Sequence, residues 1–419
     1  MKFLYRIAGQ LSGAAIKLAS PFNRKARKMI AGRKEIWARI EQCFAGNTAP
    51  VVWIHAASLG EFEQGRPLVE RIKQDFPDYK ILLTFFSPSG YEVRKDYEGA
   101  DCVAYMPSDT DGNARRFVRI VNPSVVLFIK YEIWPNFLMA LRRQSIPVFL
   151  VSAIFSKKQL FFKPYGFWYR KLLTLFDYLF VQDEASRDLL SEYGITRVRV
   201  TGDTRFDRVL AIRNQRKRID IIEHFVQKRS SEEVILVAGS SWPIDEEFII
   251  PYFNSHPKQK LIIAPHEIHE AHLCAIEQAL ERKSIRFSQI AGLNVLEGVD
   301  CIIIDCFGLL SSIYRYADVV YIGGGFGRGI HNTAEAAVYG VPVLFGPNHK
   351  KFKEAVDLLA LNAARTLKVS EDYAAVMDVF MENESLRKEM GKQASEYIEN
   401  RGNSTSRIMR TLGDYLKRH

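Results

Sequence analysis

Residues 323–347 read GGGFGRGIHNTAEAAVYGVPVLFGP, a glycine loop followed by a helical pattern and an apolar run. Glycines at 323, 324, 325, 327 and 329 remove Cβ atoms, so the backbone can approach a ligand closely and turn N–H groups toward an anion. Asn332 opens the predicted helix, with Thr333, Ala334 and Glu335 in its first turn. An acceptor-only carboxylate there suits a ribose diol, while the helix N-terminus faces a phosphate. The pattern predicts a nucleotide or nucleotide-sugar seat built around Gly324 and Gly325. No Gly-Lys-Ser/Thr follows the glycines, and the acid lies inside the helix rather than about 20 residues on, which argues against a Walker loop and a dinucleotide fingerprint. A turn that needs glycine only for close packing is the competing explanation.

Three further turns could carry chemistry. In open α/β sheets ligands bind beyond the carboxyl ends of strands, so polar residues just after strands rank first. The first turn is His55-Ala-Ala-Ser58-Leu-Gly60-Glu61, where Gly60 lets a substrate approach and Glu61 sits at a helix start. The second, Tyr131-Glu132-Ile133-Trp134-Pro135-Asn136, and the third, Gly202-Asp203-Thr204-Arg205-Phe206-Asp207, follow later strands. Each has a structural alternative: a helix-dipole acid at 61, an ion pair at 132, a surface cation at 205. Three such turns at corresponding strand ends point to one cleft.

The elements that must position them alternate short β-rich runs with helical patterns, the mark of doubly wound α/β domains. Strands are predicted over 51–56, 81–86, 102–106, 125–130, 148–152, 178–182 and 198–201, then over 234–238, 261–264, 301–304, 319–322 and 341–345. The charged stretch 213–231 reads as a linker between an N-terminal domain (41–212) and a C-terminal domain (232–402), with 403–419 returning as a helix to the first. At 419 residues the chain exceeds the roughly 250–300 that one core serves, and 47% apolar content is ample for burial. Two Rossmann-like domains facing across a cleft are expected. The five cysteines (43, 102, 274, 301, 306) form no CxxC pair and no even framework, which predicts reduced thiols rather than a disulfide scaffold. Cys301 and Cys306 bracket one predicted strand and are expected to be buried and inert.

Charge is unevenly placed. Residues 1–40 hold ten Lys/Arg against Glu35 alone, so this segment carries nearly all of the formal +10. As a helix, residues 3–18 gather Phe3, Leu4, Ile7, Leu11, Ala14, Ala15 and Leu18 within an arc of about 120°, with Lys2, Arg6, Gln10 and Lys17 opposite. The apolar stretch between Arg6 and Lys17 is about half the roughly 20 residues a span requires. Residues 1–40 therefore read as a basic amphipathic segment lying on an anionic membrane surface. Packing of that stripe on the protein's own core is the alternative. The rest of the chain is close to neutral and offers no basic, base-reading module for nucleic acid.

HAASLGEFEQ at 55–64, YEIWPN at 131–136, GDTRFD at 202–207 and the glycine segment at 323–347 together resemble the bacterial 3-deoxy-D-manno-octulosonic acid (Kdo) transferases of lipopolysaccharide assembly. The resemblance runs in matching order over about residues 30–410. It implies a glycosyltransferase-B fold, CMP-Kdo as donor, a lipid A precursor as acceptor, no metal or other cofactor, and work at the cytosolic face of the inner membrane. By the same resemblance Glu61 takes the general-base position, and Glu132 and Arg205 take positions that stabilise the transition state. Ser58 and Gly60 flank the acceptor side. Pro265, His266, Gly308, Leu309, Leu310 and Asn332–Glu335 match the CMP-binding segments. Arg205 stands where the family usually has Lys, and His266 where it commonly has Arg; guanidinium and ammonium are not interchangeable in such sites. Another enzyme of this fold acting on a UDP-sugar, a transferase or a 2-epimerase, is the alternative activity, and a non-catalytic sugar-lipid binder a further one.

Two patterns imitate metal sites. His266, His269 and His272 are spaced by threes but do not make HExxH, because Glu270 stands four after His266. Asp109-Thr110-Asp111 resembles a DxD motif and is read as capping the helix that begins near Gly112.

Overall fold

The computed structural model describes residues 20–418, apart from the side chains of 24 and 25. The amphipathic helix expected over 3–18 lies outside the described residues. Two compact units emerge: residues up to Arg208 together with those from Gly402, and Val209–Arg401.

The first unit is built on β1 (Val51–Ala56), β2 (Lys80–Phe85), β3 (Cys102–Tyr105), β4 (Val125–Ile129), β5 (Val148–Ala153), β6 (Tyr178–Val181) and β7 (Val198–Val200). They form a parallel sheet in the order β3-β2-β1-β4-β5-β6-β7. β1 is buried at every residue, as expected where helices cover both faces of a parallel sheet. Its alternation sends Val51 and Trp53 into one core and Val52 and Ile54 into the other. Helix Ser404–Leu416 packs Ile408, Met409, Leu412 and Leu416 into the second of these cores, and the Tyr79 hydroxyl donates to the Leu416 carbonyl at 2.6 Å. Chain order reverses between β1 and β4, which pair through His55 and Phe128; this is the switch point of the sheet.

The second unit repeats the plan. Its strands are β8 (Val234–Ser241), β9 (Gln259–Pro265), β10 (Ser284–Arg286), β11 (Cys301–Ile303), β12 (Val319–Ile322), β13 (Val343–Phe345) and β14 (Ala364–Thr366). The order is β10-β11-β9-β8-β12-β13-β14, all parallel, with the switch point between β8 and β12 at Gly239 and Ile322. The three-residue edge strands β10 and β14 escape the sequence pattern, being too short to show a period.

Three expectations need correction. The segment 213–231, expected as a linker, lies within the second unit and holds the end of helix Thr204–Gln215 and all of helix Asp220–Gln227, whose Ile222 and Phe225 are buried. The boundary between units falls inside the first of these helices, at Arg208. Cys43 and Cys102 are joined as a disulfide with Cα atoms 6.0 Å apart, tying helix Ile36–Phe44 to β3. Fifty-nine residues of sequence separation concealed that contact. Cys301 is buried and its thiol is pushed up by desolvation, whereas Cys306 lies beyond the end of β11 and is partly exposed.

Candidate active site

In the first unit the switch point collects two of the three predicted turns. Helix Leu59–Asp75 starts directly after β1, and Glu61 is its third residue. Its carboxylate turns back to accept the Ala57 N–H at 2.6 Å, so the dipole-capping role anticipated for an acid at a helix start is present. More than capping acts on this group. Burial, and then the charge of Glu132, push the Glu61 carboxyl up to about 7 against the opposing pull of the Ala57 N–H and Lys130. A carboxyl poised there takes and returns protons near neutral pH. Ser58 and Gly60 flank it. A Cβ on Gly60 would meet nothing within 4 Å, so internal packing does not require glycine and the space before Glu61 is open.

Glu132 is held from two sides. One oxygen accepts His55 Nε2 at 3.1 Å and Trp134 Nε1 at 2.8 Å. His55 is fully buried, and its Nδ1 lies 2.9 Å from Thr84 Oγ1, which also accepts the Trp53 indole N–H at 2.8 Å. Because the Glu132 carboxylate only accepts, the imidazole proton is assigned to Nε2, pointing at Glu132, and Nδ1 then accepts the Thr84 hydroxyl. Lys130, just before this turn, adopts φ of 62°, a left-handed conformation that costs about 1–3 kcal/mol in a non-glycine residue and clusters at functional sites. Asp109 accepts the Asn136 and Phe137 N–H groups at 3.2 and 3.1 Å, capping helix Pro135–Arg143 rather than the one at 111. Thr110 caps helix Asp111–Val121.

Arg205 is tied down by its own motif. Its Nε and Nη2 donate to Asp203 at 2.9 and 2.8 Å, and Asp203 also accepts Gln64 Nε2 at 3.0 and 3.1 Å. Gln64 lies one turn beyond Glu61 on the same helix, so the third turn is anchored to the element that carries the first. His55, Gln64 and Asp203 lie inside the quoted motifs, but residue type alone does not mark them; what singles them out is that these polar side chains are buried.

In the second unit the glycine loop follows β12. Most of its amides bond within the unit: Gly323 N–H to the Gly239 carbonyl, Gly324 N–H to Asp245, Gly327 and Gly329 N–H to the Gly324 carbonyl, and His331 N–H to the Gly323 carbonyl. The anion cradle expected of these glycines is thereby largely occupied, and close packing explains them better. A Cβ on Gly323 would sit 2.1 Å from the Ser240 carbonyl oxygen, and one on Gly325 would sit 2.5 Å from the Gly346 nitrogen. Gly325→Ala should therefore destabilise the second unit by about 1–3 kcal/mol, read as a lower urea midpoint, because backbone cannot move aside as a flexible side chain would.

Asp245 anchors this arrangement by also accepting the Tyr321 hydroxyl at 2.6 Å and the Trp242 N–H at 3.0 Å. Beside it the His266 ring, just after Pro265 at the end of β9, stacks on Trp242 at 4.7 Å and lies 4.5 Å from the His331 ring. Burial, then His266, lower His331 to about 4, so it is neutral at physiological pH and accepts the Trp242 indole N–H at 3.3 Å. Asn332 accepts the Ala334 N–H at 3.1 Å and donates to Glu335 at 2.9 Å. The helix it was expected to open is a single turn, Ala334–Ala337, with buried Thr333 at its N-cap, so it lends little dipole to an anion. Gly308 (φ 88°) and Leu309 lead into another short turn, Leu310–Ile313, and the next residue, Tyr314, lies within the field of Glu335. Trp242, Asp245 and His331 are additions to the predicted set. For Trp242, directly after β8, that position was the available signal; Asp245 and His331 carried none.

Among the described residues no group of His, Cys, Asp and Glu is arranged to hold a metal. His269 caps helix Glu270–Ala279, and His272 bonds Glu246 at 2.8 Å.

Residues 32–208 match the family described as 3-Deoxy-D-manno-octulosonic-acid transferase (kdotransferase). The 3-deoxy-D-manno-octulosonic acid transferase of Bordetella pertussis is 28% identical over 419 residues, covering 94% of this chain and 95% of its own. That of Chlamydia muridarum is 26% identical over 373 residues, covering 85% and 84%. Among solved structures, UDP-GlcNAc 2-epimerase from Neisseria meningitidis bound to UDP-GlcNAc superposes with a TM-score of 0.61 at 17% identity, over 87% of this chain and 100% of that one. Acinetobacter baumannii MurG gives 0.56 at 14% identity, over 87% and 99%. At such identities the structures establish the two-sheet, glycosyltransferase-B type of fold and nothing about substrate. By its motifs, by the match over residues 32–208 and by relatives along nearly its whole length, this chain is most similar to proteins named 3-deoxy-D-manno-octulosonic acid transferases.

Proposed function

We propose that this protein transfers Kdo from CMP-Kdo to a lipid A precursor, with inversion at the anomeric carbon. In this reading Glu61 takes the proton of an acceptor hydroxyl as its oxygen bonds to the anomeric carbon. The bond from that carbon to the CMP phosphate breaks, and CMP leaves with the electron pair. The observation that carries the reading is the Glu61 carboxyl, raised to about 7 at the switch point of a unit that matches the Kdo transferase family. Glu132, fixed by His55 and Trp134, is after burial the next cause of that raised value. The donor is assigned to the second unit, around His266, Gly308–Leu310 and Asn332–Glu335, and the acceptor to the first. The basic N-terminal segment is assigned to the cytosolic face of the inner membrane, but it ends before 40: Ile36 and Ile40 are buried in the core of the first unit, so helix Ile36–Phe44 belongs to that unit. No helix among the described residues is long and apolar enough to cross a membrane.

The test is turnover by the purified full-length chain with CMP-Kdo and a tetraacylated lipid A precursor, with products read by mass spectrometry. CMP release and an acceptor heavier by Kdo units are expected, with no turnover of UDP-sugars. Turnover of a UDP-sugar instead would move the protein to the alternative activity.

A further inference from the structure

The first unit carries an exposed aromatic and basic ridge that the transfer chemistry does not use. Between β5 and β6 the chain folds into two 3-10 turns, Leu160–Phe162 and Pro164–Gly166, and helix Phe167–Leu173. Leu160, Tyr165 and Phe167 are 40%, 68% and 62% exposed, a group of large apolar side chains turned to solvent within eight residues. Around them stand Lys158, Lys163, Arg170 and Lys171, together with Lys157, which pairs with Glu192 at 3.3 Å; no Asp or Glu occurs between 156 and 176.

This exposure is imposed by the fold. Phe162 is buried against Phe155 and Tyr193, with ring centroids 5.9 and 5.3 Å apart. Arg170 donates to the Phe161 carbonyl at 2.9 Å and lies over the Tyr193 ring. At Gly166 a Cβ would come within 1.8 Å of the Leu160 carbonyl oxygen, so the two turns are locked together. A segment pinned in this way, which still presents Tyr165 and Phe167 outward, sets them against an outside surface. The ridge follows β5, which pairs with β4, the strand that leads into the Tyr131–Asn136 turn.

We infer that residues 157–171 form a second membrane contact, seating Leu160, Tyr165 and Phe167 in the headgroup region of an anionic bilayer while the surrounding lysines meet lipid phosphates. Aromatic side chains among Lys and Arg are the composition of the membrane interface. Protein interfaces are depleted of lysine, which argues against a protein partner here. The inference deepens the proposed function, from which it takes the lipid-linked acceptor: this contact would hold the Glu61 site at headgroup level.

The experiment measures partition of the full-length protein onto phosphatidylcholine vesicles and onto vesicles that also contain phosphatidylglycerol. Free energies from separate contacts add, so the N-terminal segment does not mask a loss here. Tyr165→Ser combined with Phe167→Ser should lower the partition coefficient on the order of tenfold on both vesicle types. Tyr165→Trp with Phe167→Trp should retain wild-type binding. Lys158→Gln with Lys171→Gln should lose about fivefold per charge on the anionic vesicles only. Wild-type partition by the serine and glutamine variants would overturn the inference, as would a dimer in sedimentation that the serine variant abolishes. Turnover on a detergent-dispersed acceptor should stay at the wild-type level in these variants. If the wild-type protein bound vesicles through this ridge yet did not turn over CMP-Kdo, the transfer reading would fail and the membrane contact would stand.

Discussion

Replacing Glu61 with Gln is expected to lower transfer by about 10²–10⁴-fold while leaving CMP affinity unchanged, because a positioned carboxylate base contributes that much and the donor residues lie on another unit. The amide keeps the size of the side chain but can neither accept the acceptor's proton nor carry charge. Isothermal titration with CMP and single-turnover transfer separate the two effects; wild-type turnover would sink the assignment. The pH profile gives an independent reading. Burial first and Glu132 second raise the Glu61 carboxyl to about 7, and the base works when deprotonated, so kcat/KM should rise with pH through about 7. Glu132→Gln removes one raising charge while Lys130 and the Ala57 and Ser58 N–H groups keep lowering, so the acid limb should move to lower pH. An unshifted limb would show that Glu132 does not act on the base.

Asp203→Ala should destabilise the first unit by about 1–3 kcal/mol, the cost of leaving the buried donors of Asp203 unsatisfied, because the Arg205 side chain is only partly buried and can reach water. Burial alone would raise the Asp203 carboxyl, but the charge and hydrogen bonds of Arg205, with Gln64, outweigh it and hold the carboxyl below its ordinary value. The sign follows from that depression. Stability from this group is present above the unfolded-state pKa of about 3.9 and is lost as pH falls through the lower folded value. Urea midpoints of the wild type should therefore drop in acid, and the variant should show a smaller acid dependence. Because Arg205 then loses the Asp203 carboxylate, and Gln64 loses its acceptor, activity should also fall. A variant with wild-type midpoint and turnover would leave the Asp203–Arg205 pair without a structural role.

Much of this was legible in the chain. Twelve of the predicted strands correspond to β1–β9 and β11–β13, because buried parallel strands are continuous apolar runs closed by turn residues. The rule that ligands gather at strand carboxyl ends then selected Glu61 and Glu132, and the two sheets do place these turns, and the glycine loop, at their switch points. For the glycine loop the sequence leaves two explanations open, a phosphate cradle and close packing. Residue types record where a Cβ is forbidden but not why, and only packing distances separate a cradle for phosphate from a close approach to Ser240 and Gly346. The Cys43–Cys102 bond escaped for a related reason, since spacing along the chain carries no distance through space.

The sequence by itself determined two parallel α/β units, the strand-end turns and the polar residues available to act. Tertiary structure decided how those residues are tuned: which acid is buried beside another, how His55 and Trp134 grip Glu132, and how Asp203 fastens Arg205. The physical reason is that residue type fixes what a group can donate, accept or ionise, whereas its pKa and orientation depend on desolvation and on neighbours that the fold brings from distant positions.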